Sequence, residues 1–262
     1  MAPQLGVDGG PERLFGFEPL YVDGRRTGGS MATGQWMAGP GGIPRAGALG
    51  VMVDNALGTT ISAQHPDGRW AVSTEIAMDL VRPIPADGSV VRATVGSIEV
   101  DAIGAFATGD VIDATGNVIA RCRQRGRFIP TPAPTTTNGW HDVRPDDDAD
   151  LLSRIAAVTS LAHDGDDLEL LSAPALANPM GNLHGGVSLC VSEWTGALAL
   201  SRTATPLTTA SVHIAHLRPI PIGTRVRFTT NVIHTGRGLG VVHVTSLNDA
   251  GKPCTVTTLV TH

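Results

Sequence analysis

The chain has 262 residues, 42% hydrophobic and 16% charged, which suits one large or two medium globular domains. A net charge of −5 argues against a nucleic-acid or anionic-membrane partner, and no apolar run reaches membrane-spanning length. Three cysteines, Cys122, Cys190 and Cys254, cannot all pair and form no CxxC motif, so free thiols in a reducing, cytoplasmic setting are expected.

Residues 1–30 are rich in glycine with scattered charges and read as a loose lead-in, followed by a short strand over 30–38 and the turn Gly39-Pro40-Gly41-Gly42. A small-residue apolar helix is expected over about 46–63. Four strands follow, at about 70–82, 89–100, 104–113 and 117–128, each bounded by Gly, Pro or Asp. The stretch 129–148, with its prolines, threonines and acidic run, reads as a solvated linker, with Trp140 expected to anchor it to the surface. Helical spacing returns over 151–162, at Leu151, Leu152, Ile155 and Val158, and a strand is expected over 168–175. A second apolar helix at about 185–201 precedes strands near 208–217, 225–234, 239–248 and 253–261. The expected units are thus 1–128 and 149–262, each a helix followed by a four-strand antiparallel meander.

The two halves repeat in sequence. GIPRAGALGVMVDNALG (42–58) lies under GNLHGGVSLCVSEWTGA (181–197), which places Asp54 under Glu193, Gly47 under Gly186 and Arg45 under His184. Arg82-Pro83-Ile84-Pro85 lies under Arg218-Pro219-Ile220-Pro221, and Asp113 to Asn117 under Asn248 to Lys252. Each acid is the only charge on its helix. A carboxylate buried alone is costly unless something pairs with it or uses it. Glycines at a helix start leave N–H groups uncovered, with the helix dipole behind them, for a polarised carbonyl.

An apolar helix needs cover on several sides, and a curved antiparallel sheet wrapped round it supplies that. Asn178, then His184-Gly185-Gly186, then Glu193 nine residues after the histidine resembles the hotdog-fold acyl-CoA thioesterases of the phenylacetate-degradation and 4-hydroxybenzoyl-CoA types. The resemblance covers about 36–128 and 168–262. It implies an α+β double hotdog that hydrolyses acyl-CoA thioesters, with coenzyme A entering as part of the substrate and no separate cofactor. It also implies roles. Glu193 is the nucleophile or general base, the Gly185 N–H polarises the thioester carbonyl, Asn178 and His184 support the site, and Ser73 reaches it from the opposite unit. A second site would hold Asp54, Gly47 and Ser211. That site is expected to be the degenerate one, because Arg45, Ala46 and Gly39 stand where the first has His184, Gly185 and Asn178.

Arg45 is expected to be solvated. His213, His216, His234 and His243 carry no ligand spacing for a metal, so none is expected. Arg82 and Arg218 read as structural residues at strand ends. Further pairing of whole chains into a homo-oligomer would cover exposed strand edges. A non-catalytic acyl-CoA-binding protein and an enoyl-CoA hydratase on the same fold are the alternatives.

Overall fold

The alternation Arg121-Cys122-Arg123-Gln124-Arg125-Gly126-Arg127-Phe128 shows how the sheet is built: the arginines are exposed, while the residues between them are buried. A strand with one wet and one covered face needs a layer on the covered side, and two central helices provide it. The structure, a computed structural model, describes residues 10–23, 26–130, 149–201 and 207–262. Residues 131–148 of the expected linker, Trp140 included, lie outside them.

Twelve strands form one antiparallel sheet: β1 (Phe17–Asp23), β2 (Arg26–Ala32), β3 (Trp70–Leu80), β4 (Val90–Val100), β5 (Gly104–Ile112), β6 (Val118–Ile129), β7 (Leu161–Asp164), β8 (Asp167–Leu171), β9 (Thr209–His216), β10 (Arg225–Thr235), β11 (Gly240–Asn248) and β12 (Pro253–Thr261). Their order is β1-β2-β4-β5-β6-β3-β9-β12-β11-β10-β8-β7. Read inward from either edge, the two halves have the same order and meet at β3 and β9. Each half wraps one central helix, α2 (Gly50–Ser62) or α4 (Gly185–Leu200), which makes the molecule a double hotdog. The strands after each helix are not a simple meander. The first of them, β3, lies beyond the last, β6, and so reaches β9 of the other half.

Two further expectations change. Residues 10–23 and 26–32 hold helix α1 (Gly10–Leu14) and strands β1 and β2. The glycine content that suggested a loose lead-in serves packing: a Cβ on Gly29 would stand 1.8 Å from the Phe17 ring. Helix α3 (Leu151–Val158) stops before the expected 162. The Asp150 side chain accepts a hydrogen bond from the Ser153 N–H at its start.

The helices α2 and α4 touch backbone to backbone. A Cβ on Gly50 would lie 2.6 Å from the Gly186 carbonyl oxygen, and one on Gly186 would lie 2.4 Å from that of Gly50. Gly47, in the single 3₁₀ turn Ala46–Leu49 ahead of α2, meets the Cα of Cys190 in the same way, at 2.7 Å. These contacts run in opposite directions along the two segments. The start of each helical segment is therefore carried onto the first two turns of the other. That crossing decides which residues meet at each acid. Arg82 and Arg218 donate from equivalent strand ends to the carbonyls of Val118 and Pro253, a structural use present in both halves. The three cysteines are free and buried. Among the described residues no helix is long and apolar enough to cross a membrane.

Candidate active site

Asp54 sits one turn into α2, where the crossing brings the start of α4 over it. The Gly186 N–H donates to Asp54 Oδ2 at 2.9 Å, and His184 Nδ1 stands 3.2 Å from the same oxygen. His184 caps α4, its Nδ1 also 3.1 Å from the Gly186 N–H. Its Nε2 lies 3.4 Å from Asn55 Nδ2 and 3.6 Å from Glu12 Oε1, and Asn55 donates to that Glu12 oxygen at 3.0 Å. The histidine ring is thus held from both ends. The other oxygen, Asp54 Oδ1, accepts from Gln124 Nε2 at 2.7 Å. The same amide nitrogen donates to Ser73 Oγ at 3.1 Å. A carboxylate accepts only, so the NH₂ of Gln124 must face it. Ser73 Oγ accepts from that NH₂, which leaves its own proton to donate elsewhere.

A β-bulge aims Ser73. Ile76 and Met78 face the helices, and strict alternation would put Thr74 inward after them. The register of β3 on β6 slips between Ser73 and Glu75, so that Ser73 pairs with inward-facing Gly126. Gln124 needs no such device, being an inward position of β6.

These groups open on one cavity of about 540 Å³. Its wall includes Asp54, Gln124, Ser73, Asn178, His184, Gly185 and His216, with Ile61, Trp70, Leu183, Leu217 and Ile220 as apolar surface. The N–H of Gly185, the first residue of α4, meets no acceptor among the described residues. Asn178 Oδ1 accepts from the N–H groups of Met180 and Asn182 and so shapes the loop ahead of His184. Those two bonds hold the loop, which is one way of supporting the site.

Glu193 has a different environment. It is fully buried and lines no part of that cavity. The Thr209 hydroxyl donates to its Oε1. Burial pushes its carboxyl above the usual range. The buried Arg45, the Thr209 hydroxyl and the backbone N–H groups of Gly47 and Ala46 pull the other way. Arg45 is itself held below its ordinary value by burial, with Glu193 acting against that. Gly39, the counterpart of Asn178, makes room for it: a Cβ there would lie 2.5 Å from Arg45 Nε. Arg45 is not the solvated residue that the sequence suggested.

The expected groupings are therefore exchanged. His184 and Gly185 were assigned to Glu193, and Gly47 to Asp54. The antiparallel crossing gives each acid the loop of the opposite half. Ser73 was expected to reach across to the acid of the other unit, and instead it joins Asp54 of its own. Ser211 touches neither acid. It lies opposite Asp79 of β3 on the outer side of β9. A second bulge, at Ala210, turns Thr209 inward in its place, as the register slip between Val260 and Thr261 records. Gln124, Asn55, Glu12, Thr209 and His216 were missed. The Arg82/Arg218 offset already placed Thr209, and not Ser211, over Ser73. Opposite Val212, where Ile76 of β3 faces Gln124, β12 carries Leu259. The enclosed site thus has no amide in that place.

Among the described residues no cluster of His, Cys, Asp and Glu is able to hold a metal ion. The family model of the thioesterase superfamily matches residues 180–255, and that of the acyl-CoA thioesterase C-terminal domain matches residues 9–128. No curated protein matches the chain. Among solved structures, the tesB protein of Mycobacterium avium subs paratuberculosis is 11% identical, with a TM-score of 0.64 over 95% of this chain and 96% of that one. An acyl-ACP thioesterase from Bacteroides thetaiotaomicron is 13% identical, with a TM-score of 0.62 over 90% and 97%. A 12:0-ACP thioesterase from Umbellularia californica is 11% identical, with a TM-score of 0.58 over 93% and 99%. At such identities the likeness is one of fold.

Proposed function

Since the chain belongs to the hotdog-fold thioesterases, we propose that it hydrolyses acyl-CoA thioesters in the Asp54 cavity, with Asp54 and not Glu193 as the working carboxylate. The observation that carries this reading is that Asp54 shares an open cavity with Gln124, Ser73, His184 and Gly185, whereas Glu193 is enclosed.

In this reading the thioester carbonyl lies against the Gly185 N–H. Donor and helix dipole together favour the negative charge that develops on the oxygen. Asp54, gripped by Gln124 and the Gly186 N–H, accepts a proton from the attacking water. Each carboxylate oxygen keeps a lone pair for this after its present bond. Gln124 Oε1 is buried and without a partner among the described residues, and it accepts the other proton of that water as a hydrogen bond. The water oxygen bonds to the carbonyl carbon. The tetrahedral adduct then collapses and expels the thiol sulfur, which regains a proton from Asp54. The apolar wall suits an acyl chain. Arg127 and Arg218, exposed residues of the same wall, suit the phosphates of coenzyme A.

The test is steady-state thiol release across a panel of acyl-CoAs. Asp54→Asn is expected to lose at least about 10²-fold in kcat, and Glu193→Gln to stay within about threefold per folded molecule. An inactive Glu193→Gln beside an active Asp54→Asn would return the role to Glu193.

A further inference from the structure

His216 ends strand β9, just before the Arg218-Pro219-Ile220-Pro221 turn. Val212 and Ile214 face inward, so His216, two further on, faces the cavity and lines it. Both ring nitrogens are shielded from solvent, and neither makes a full hydrogen bond among the described residues, although the Gly185 backbone lies close enough to favour the protonated ring. A buried polar group without a partner costs about 1–3 kcal/mol, so such groups mark places where a bound molecule completes the bonding. The position of the ring says which part of the molecule that is. The point where a side chain on Gly185 would begin lies 3.4 Å from His216 Nε2 and 2.6 Å from Asp54 Oδ2. The imidazole therefore stands beside the glycine at the start of α4, on the side where the acid also lies.

We propose that His216 is a catalytic residue of the Asp54 site, donating Nε2–H to the thioester carbonyl oxygen beside the Gly185 N–H. The inference rests on the thioesterase reading and names a second donor for its oxyanion. Two donors then converge on the oxygen, one from the helix terminus and one from the sheet, and no proton changes hands at His216. Burial favours the neutral ring, as do the nearby His184 and His213, while Asp54 and the Gly185 backbone act against that. A neutral imidazole keeps one N–H, which is enough for the role. It is also too weak an acid to give that proton up, so the thiol must be protonated from Asp54.

The test compares His216→Leu, His216→Gln and Asp54→Asn. Each is measured for kcat and KM on one good acyl-CoA and for thermal unfolding. His216→Leu is expected to lose about 10²-fold in kcat, the usual effect of removing one oxyanion donor, with KM within about threefold and no loss of thermal stability. His216→Gln, whose amide can donate, should recover at least about tenfold of that loss. The infrared carbonyl stretch of a thioester bound to Asp54→Asn should shift back toward its solution value when His216→Leu is added. A His216→Leu enzyme with normal kcat, a change confined to KM, or an unmoved carbonyl stretch would overturn the proposal. An active Asp54→Asn would overturn the base assignment instead, and the His216 variants would still be judged by their own rates.

Discussion

The Gly186 N–H donates to Asp54 Oδ2 across 132 positions of sequence, at 2.9 Å. The bond joins the N-terminal turn of one central helix to a residue one turn into the other, and neither half supplies it alone. It exists because Gly50 and Gly186 let the two backbones touch. Gly50→Ala is accordingly expected to destabilise the fold by about 1–3 kcal/mol, because its Cβ would stand 2.6 Å from the Gly186 carbonyl oxygen, which cannot turn aside as a side chain can. Urea unfolding measures this. Unchanged stability would mean that the helices separate without penalty.

A neighbouring glycine should separate function from stability. A Cβ on Gly185 would meet the Asp54 carboxylate and not the backbone of α2. Gly185→Ala is expected to fold with nearly normal stability and to lose about 10²-fold in kcat as Asp54 is pushed from its place. Ala46, the matching residue of the enclosed site, shows that alanine suits this backbone where no open carboxylate faces it. Retained activity would place the acid elsewhere during the reaction.

The grip on Asp54 can be tested by copying the enclosed site. Gln124→Leu installs the residue that β12 carries at Leu259 and removes the donor to Asp54 Oδ1 and Ser73. A loss of about 10²-fold in kcat is expected, and about tenfold for Ser73→Ala, which leaves the Gln124–Asp54 bond intact. If Gln124→Leu proves as active as the native enzyme, the amide is a packing residue.

Glu193 and Arg45 should behave as a buried pair. Removing one partner strands the other, at a typical cost of about 3–5 kcal/mol. Glu193→Gln and Arg45→Met are each expected to lower stability by about that much. The double variant should lose clearly less than both together, with thiol release largely unaffected. Additive losses in urea unfolding would show that the two charges do not communicate.

His216 gives stability a pH dependence of known sign. Its folded value is lowered, so in acid the unfolded chain takes up a proton that the folded one does not. Stability is therefore lost as pH falls below about 6.5 toward the folded value. Against His216→Gln, which does not titrate, the native protein should lose up to about 1.4 kcal/mol between pH 7.5 and 5.5. Melting temperatures of both proteins across that range decide it, and parallel curves would contradict a buried neutral ring.

The architecture was legible because periodicity and repetition are local or nearly so. The central helices, the strands after them and the Arg82/Arg218 repeat all follow from short-range pattern. The pairing of acids with loops was not, because sequence alignment sets equivalent residues side by side, whereas an antiparallel crossing exchanges them. The failure at Ser211 has a different cause. Matching serine to serine ignored the shorter offset of the Arg82/Arg218 repeat, and a one-residue bulge in each half turned Ser73 and Thr209 inward. Gln124 left a clear trace, a polar residue at an inward place in an alternating strand, but that trace becomes meaningful only once Asp54 is known to lie against it. His216 left the same kind of trace, two places beyond Val212 and Ile214, and its meaning likewise depended on the start of α4 lying against it.

Two units carried on one chain have a consequence that two copies of one chain lack. In a symmetric pair every substitution is made twice, and a residue that closes one site closes both. Here position 45 can be arginine while position 184 remains histidine, and position 259 can be leucine while position 124 remains glutamine. One acid is then enclosed in the join between the halves, while the other lines an open cavity. The covalent link thus frees the two sites from sharing a single set of residues, so that one can serve the fold while the other, in the reading proposed above, serves the chemistry.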